Sequence, residues 1–373
     1  MTRNDLRSQS LDLLRFPLAV VVITSHVMFF GSYRDMEGSP FLNGLFCLIS
    51  GMIEYQSVPI YYFISGYVFF LNITLTKDVY LRKLHNRTKS LLIPYLTWNA
   101  IAVLKILLLA LPCFAFLFNN QVTLADLDLS PRAFLMSFWD KSYGIMPSPP
   151  SETGNVNPQN VPMWFVRDLI VIVLCAPMVY RLLNAGNLRR KACLTLLCAA
   201  WFVCGLYRVE YISQLLTGFF FFSLGADMSI RRKDMMQVFG RFFKPAAVAY
   251  AVLSVVCACL VKDSPEAANA FKMLNQCAGL IVAYNVASLL IRKKVCKVSP
   301  FLASSSFFLY VSHWLVFNEI EIIMMRIVGF DTPAKLFSCR LLAVAVTVIS
   351  LLALFYLLRK YCPRLLKVIA GRK

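Results

Sequence analysis

Arg15 and His26 lie inside the first hydrophobic stretch of the chain, LDLLRFPLAVVVITSHVMFF. A formal charge at the bilayer centre costs about 2.5–3.5 kcal/mol even on lenient insertion scales, so ionisable residues in such a segment call for a reason. Eleven positions separate the two. At about 100° and 1.5 Å per residue, eleven steps return to nearly the same helix face, roughly 16 Å further along. One stripe of one helix then carries a fixed cation near its start and a titratable imidazole near its end. Histidine is the side chain best suited to moving a proton near neutral pH. The plain structural alternative has Arg15 snorkelling to the interface and His26 capping the outer end of the span.

Other ionisable residues fall at a similar level. Counting from the span ends places Lys105, Arg167 in VPMWFVRDL and His313 in the outer half of the membrane, close to the depth of His26. Four such side chains from four helices suggest a polar cavity. Each has a structural alternative of its own: a snorkelling lysine, an Arg167–Asp168 pair, a hydrogen-bonded core histidine.

The elements that must position these residues are membrane helices. Hydrophobic residues make up 59% of the 373, and only 15% are charged, well short of the quarter or so in a soluble domain. Apolar runs recur at 11–30, 57–75, 90–118, 162–183, 190–207, 211–229, 243–261, 273–291, 301–323 and 336–358. The expected fold is an all-α polytopic integral membrane bundle of about ten transmembrane helices, one domain over 1–373. Of the 38 lysines and arginines, 26 fall in alternate connections and termini, 9 on the opposite side and 3 within spans. The positive-inside rule then places both termini in the cytoplasm, and the net charge of +19 reads as topology, not as a nucleic-acid surface. The first apolar run lacks a small-residue cleavage site, so no cleaved signal is expected. Most of the twelve cysteines sit in spans without metal-type spacing, so no metal site is expected. Two outer segments break the rhythm. FLNGLFCLISGMI within 31–56 is too short to span and reads as an interfacial or re-entrant helix. Residues 119–161 form a long polar connection, a candidate lid.

These blocks resemble the membrane-bound acyltransferase-3 family, whose members O-acylate extracytoplasmic glycans. Arg15 and His26 match its Arg-x10-His motif, and VPIYYFISGYVFF, with Ser65 and Tyr67, is similar to its second helix. The basic stretch before LLIPYL, then MWFVRDL with Trp164 and Arg167, then SSSFFLYVSHWLV with Tyr310 and His313, follow in the family's order. One departure concerns the Arg-x-x-Arg pair, which here reads Leu84-His85-Asn86-Arg87, leaving Arg87 with Arg82 and Lys83 nearby.

The resemblance implies a transmembrane reaction at the bacterial inner membrane. Cytosolic acyl-CoA, acetyl-CoA first among the candidates, would donate an acyl group to a hydroxyl of an extracytoplasmic glycan or lipid-linked sugar, with no permanently bound cofactor. His26, Arg15 and Arg167 would form the catalytic set: His26 as general base, Arg167 as oxyanion donor. Arg87, Arg82, Lys83, Lys105, Ser65, Tyr67, Trp164, Tyr310 and His313 would contact substrates. The competing expectation is a transporter or flippase for a sugar-lipid precursor, which also wants intramembrane cations but performs no chemistry.

Overall fold

A computed structural model describes residues 3–28, 38–54, 56–113, 122–146, 156–207 and 209–371, and all regular structure among them is helical. Several helices begin where a serine or threonine caps them. Ser39, Thr76, Ser299 and Thr332 each accept a hydrogen bond from the backbone N–H three residues on, and proline follows directly at Pro40, Pro300 and Pro333. Those donors have no partner inside the helix, and proline lacks one to satisfy.

In chain order, α1 (Arg3–Met28) is followed by two short helices, α2 (Pro40–Ile53) and α3 (Ser57–Phe69). The helix α4 (Lys77–Arg87) passes through a π-helical turn, Thr88–Leu92, into α5 (Ile93–Leu109). The polar connection holds α6 (Pro131–Met136). A broken pair follows, α7 (Trp164–Leu174) and α8 (Ala176–Leu183), then α9 (Asn187–Leu206), α10 (Glu210–Ile230), α11 (Met235–Arg241), α12 (Phe243–Leu260) and α13 (Pro265–Arg292). A second broken pair, α14 (Pro300–Ser312) and α15 (Phe317–Val328), precedes α16 (Pro333–Tyr361) and α17 (Pro363–Ile369).

Five of these elements are long and apolar enough to cross a membrane: Asp5–Met28, Lys77–Leu109, Phe243–Leu260, Pro265–Arg292 and Pro333–Tyr361. The two broken pairs, bent by 60° and 67°, bring the number to seven. The apolar run at 57–75 becomes a helix of only 13 residues ending at Phe69. At 1.5 Å per residue that is roughly 20 Å, short of a hydrocarbon core of about 30 Å. The 301–323 run is not one straight span either, because it breaks at His313–Val316. FLNGLFCLISGMI is indeed a short helix, α2, and it packs on α12.

α1 lies at the centre, against α13, α14 and α16, with α3 alongside. In lipid, close packing holds helices together more than apolar burial does. The tightest crossing, α3 on α10, uses two glycines. A Cβ at Gly66 would land on the Phe222 carbonyl, and one at Gly225 on the Phe63 carbonyl. Around this crossing Tyr62, Phe63, Phe69, Phe221 and Phe222 are fully enclosed.

Hydrogen bonds fix the relative directions. Ser57 donates to the Leu18 carbonyl and Tyr61 to the Arg15 carbonyl, so α3 runs antiparallel to α1. α1 and α14 run parallel, with His26 and His313 meeting at their ends. The long polar connection is folded onto the bundle, not left as free linker. The Tyr95 hydroxyl donates to the Phe138 carbonyl, and Gln159 N–H donates to the Ser137 carbonyl at 2.7 Å. Its residues 119–121 and 147–155 lie outside the described set.

Candidate active site

His26 closes the last turn of α1, and His313 begins the single 3-10 turn at which the second broken helix bends. Their ring centroids are 5.3 Å apart, and the Trp314 ring meets His26 edge-on at 5.4 Å. His313 is fully buried. Its Nδ1 lies 3.2 Å from the Leu309 carbonyl oxygen. A carbonyl can only accept, so Nδ1 carries the proton in that contact and Nε2 is left with a lone pair in the neutral ring. Among the described residues that Nε2 has no hydrogen-bond partner. A buried, unpartnered ring nitrogen beside a second imidazole is costly to fold and useful for proton transfer.

Non-helical backbone at membrane depth must be satisfied by neighbouring protein. Lys105, from α5, supplies part of this: its Nζ donates to the Leu315 carbonyl at 2.7 Å and pairs with Glu319 at 2.5 Å. The lysine expected in a polar cavity therefore braces the bend that carries His313.

A second group of expected residues lines a cavity of about 250 Å³ on the other side of these rings. Arg15 and Arg87 border it together with Ser65, Ser306 and Tyr310. Arg15 also pairs with Asp12 at 3.3 Å. Arg87 enters because it ends α4 just where the chain loosens into the π-helical turn; such turns recur at functional sites. The other expected contact residues stand apart from this cavity. Tyr67 is buried under the Arg7 guanidinium at 5.5 Å, and Lys83 lies over the Phe69 ring at 5.1 Å. Arg82 is exposed, and Trp164 packs at the margin of the core.

Arg167 is nearly enclosed, and four of its five N–H donors are engaged. Nε and Nη2 each meet Asp168 Oδ1 at 2.8 Å, Nη1 donates to the Trp139 carbonyl at 2.7 Å, and Nη2 donates to the Val156 carbonyl at 3.1 Å. Its guanidinium also lies against the Trp139 and Tyr211 rings, at 4.9 and 4.7 Å, which themselves meet edge-on. The arginine thus ties the middle and the far end of the polar connection to α7 and neutralises a buried carboxylate. Sequence reading offered the Asp168 pair only as an alternative. It missed Trp139, Val156 and Tyr211, which are distant in the chain and carry no motif.

Asn160 is another member that sequence reading missed. Its Nδ2 donates to the Val311 carbonyl at 2.9 Å, its N–H donates to Asn99 Oδ1 at 3.0 Å, and its buried Oδ1 has no partner among the described residues. The only hint in the sequence is its place at the end of PSPPSETGNVNPQN, directly before the α7 motif.

A polytopic helical bundle with His26 set against the buried His313 at one end of its central helix and two arginines in a cavity nearby is the frame of a membrane-embedded group-transfer protein. The family follows from comparison: residues 8–359 match the acyltransferase-3 model, described as an acyltransferase domain, and the chain belongs to that family. It is also similar to the succinoglycan biosynthesis protein ExoH of Rhizobium meliloti strain 1021, at 23% identity over 98% of this chain and 92% of that protein. No solved structure matches.

Proposed function

We propose that this acyltransferase carries an acyl group, acetyl in the simplest case, from cytosolic acyl-CoA to a hydroxyl of an extracytoplasmic polysaccharide or its lipid-linked precursor. The observation that carries the reading is α1 itself, which presents Arg15 to the Arg87 cavity and His26 to His313 at its far end. The similarity to a succinoglycan biosynthesis protein supports a polysaccharide acceptor. In this reading the chain crosses the inner membrane about ten times with both termini in the cytoplasm. The short and broken helices complete the passes jointly.

The chemistry follows from the groups present. Arg15 and Arg87 hold anionic or strongly polar parts of the donor at the cavity, where guanidinium forks suit phosphate. The acceptor hydroxyl is a poor nucleophile at neutral pH, and His26 takes its proton as the oxygen attacks the thioester carbonyl. A positioned imidazole contributes typically about 10²–10⁴-fold. The new C–O bond forms, the C–S bond breaks, and the CoA thiolate leaves and is protonated. His313, with Nε2 free, lies where it can accept a hydrogen bond from His26 or from the incoming hydroxyl. Arg167 acts here as a positioning residue, holding the polar connection against α7, since four of its five N–H donors go to Asp168 and two carbonyls.

The test is purified protein in lipid with isotopically labelled acetyl-CoA and surface glycan as acceptor, the product read by mass spectrometry. Labelled O-acyl glycan with the parent protein and none with His26→Ala is the expected result. Glycan movement without acyl-CoA consumption would make the protein a transporter and overturn the reading.

A further inference from the structure

The cavity next to Arg15 and Arg87 stops short of the histidine pair, and what stops it is a set of three rings. On α14 the lining runs Ala303, Ser306, Phe307 and Tyr310 along one face, and the next position on that face is His313. On α3, antiparallel to α1, the lining residue nearest the histidine end is Tyr61. On α7 it is Phe165; the Tyr310 hydroxyl donates to the Pro162 carbonyl, which places the start of α7 level with Tyr310. The last lining residue of each of three helices is therefore aromatic, and these three touch one another. Centroid separations are 5.8 Å for Tyr61–Phe165, 5.9 Å for Phe165–Tyr310 and 6.3 Å for Tyr61–Tyr310. Beyond them, Tyr310 lies 6.4 Å from the His313 ring.

Two of the rings are also tethered. Tyr61 donates to the Arg15 carbonyl at 2.8 Å, and Tyr310 to the Pro162 carbonyl, so neither swings aside without losing a hydrogen bond. Phe165 has no polar tether, and its ring packs edge-on against Tyr62 at 4.6 Å. It is the movable member of the three.

We infer that Tyr61, Phe165 and Tyr310 form an acyl-size gate between the donor cavity and the histidine pair, with Phe165 as its specificity-determining residue. This inference rests on the acyltransfer reading above and deepens it. A thioester carbonyl that reaches the His26–His313 pair while its CoA portion stays at the arginines must thread its acyl group past these rings. A two-carbon group passes with a small movement of Phe165. A longer saturated acyl group requires the Phe165 ring to leave its contacts with Tyr61, Tyr62 and Tyr310 together. The predicted donor class is short, unbranched acyl-CoA.

The experiment measures kcat/KM of the lipid-reconstituted parent, Phe165→Ala and Phe165→Leu with acetyl-, butyryl-, hexanoyl- and octanoyl-CoA, using one glycan acceptor. The parent is expected to fall off steeply beyond the shortest donors. Phe165→Ala is expected to raise the ratio of hexanoyl to acetyl turnover by at least about tenfold, the order of discrimination that one or two methylenes give in a fitted apolar site. Phe165→Leu removes less volume and keeps the site filled, so it carries the test if the alanine variant does not accumulate; a smaller shift in the same direction is expected. A parent that turns over acetyl-CoA while neither variant changes the chain-length profile overturns the gate and leaves the acyltransfer reading standing. So does a parent that already uses octanoyl-CoA as well as acetyl-CoA. A parent with no acyl-CoA turnover at all overturns both.

Discussion

His313 donates through Nδ1 to its own helix and keeps Nε2 free, while His26 lies beside it at the end of α1. If this pair moves the acceptor proton, His26→Ala should lower kcat by at least about 10²-fold while the protein still inserts and folds, because His26 lies in the last turn of α1 and is only partly buried. Single-turnover assays on protein that elutes normally in size-exclusion chromatography would check it. Arg15 lies eleven residues away, roughly 16 Å along the helix, so it cannot reach the same reacting atoms. Arg15→Lys keeps the charge and loses the planar fork. The expected outcome is a raised KM for acyl-CoA with little change in acceptor dependence; a collapse of acceptor dependence alone would rule out the donor assignment. Arg167 separates differently, because Asp168 has no exposed surface and relies on it. Arg167→Ala should destabilise by about 3–5 kcal/mol, the usual cost of stranding one partner of a buried pair. The double variant Arg167→Ala with Asp168→Asn should recover part of the thermal midpoint, which a purely catalytic arginine would not show.

Two features at the element scale hold the site in place. The bend at His313–Val316 frees backbone carbonyls inside the bundle, and Lys105 answers the one at Leu315 while pairing with Glu319. Lys105→Met retains the side chain's length and removes the donor. It should cost about 1–3 kcal/mol, the penalty for leaving a buried acceptor unsatisfied, and should lower turnover as the His313 turn loosens. Thermal unfolding in detergent alongside kcat would measure both. The α3–α10 crossing depends on Gly66 and Gly225, where an added methyl meets backbone and not a movable side chain. Gly225→Ala should therefore lower the thermal midpoint, with a cost on the order of 1–3 kcal/mol from forced helix displacement. An unchanged midpoint would mean that the crossing is looser than these contacts require. Hydropathy made the long straight helices legible, but not which of the ten apolar runs would stay short or break. Pro177 at the end of FVRDLIVIVLCAP does mark the 60° break, since proline cannot continue the helix ladder, but nothing in SSSFFLYVSHWLV marks the 67° bend, because an apolar run stays apolar whether or not its helix continues.

For the whole molecule, the cations that set topology are partly drawn into local structure. Asp227 binds both Arg190 at 2.8 Å and Lys233 at 2.7 Å, and Arg231 caps the end of α8 by donating to the Leu183 and Ala185 carbonyls. In the proposed orientation these ends face the cytoplasm and the polar connection faces out. Single cysteines at Leu129 and Lys297, in a version lacking the native cysteines, should label with an impermeant maleimide from outside and only after permeabilisation, respectively. The reverse pattern would invert the chain in the membrane and move the proposed donor cavity to the wrong side.

Composition and local spacing alone determined that the chain is a helical membrane protein. They also showed that α1 carries Arg15 and His26 on one stripe and that motif blocks run through it in the order of one acyltransferase family. Hydropathy and helical period are properties of neighbouring residues, so a linear reading reaches them. The tertiary structure decided which of the scattered polar residues meet. It paired His26 with His313, sent Arg87 and not Arg82 or Lys83 to the cavity of Arg15, and spent Lys105 on a helix break and Arg167 on Asp168 and the polar connection. It also brought three rings from α3, α7 and α14 together between the arginines and the histidines. Apart from Arg167–Asp168, which are neighbours in the chain, those contacts join residues up to nearly 300 positions apart. Which turn breaks, and which face meets which neighbour, depends on how closely whole helices pack.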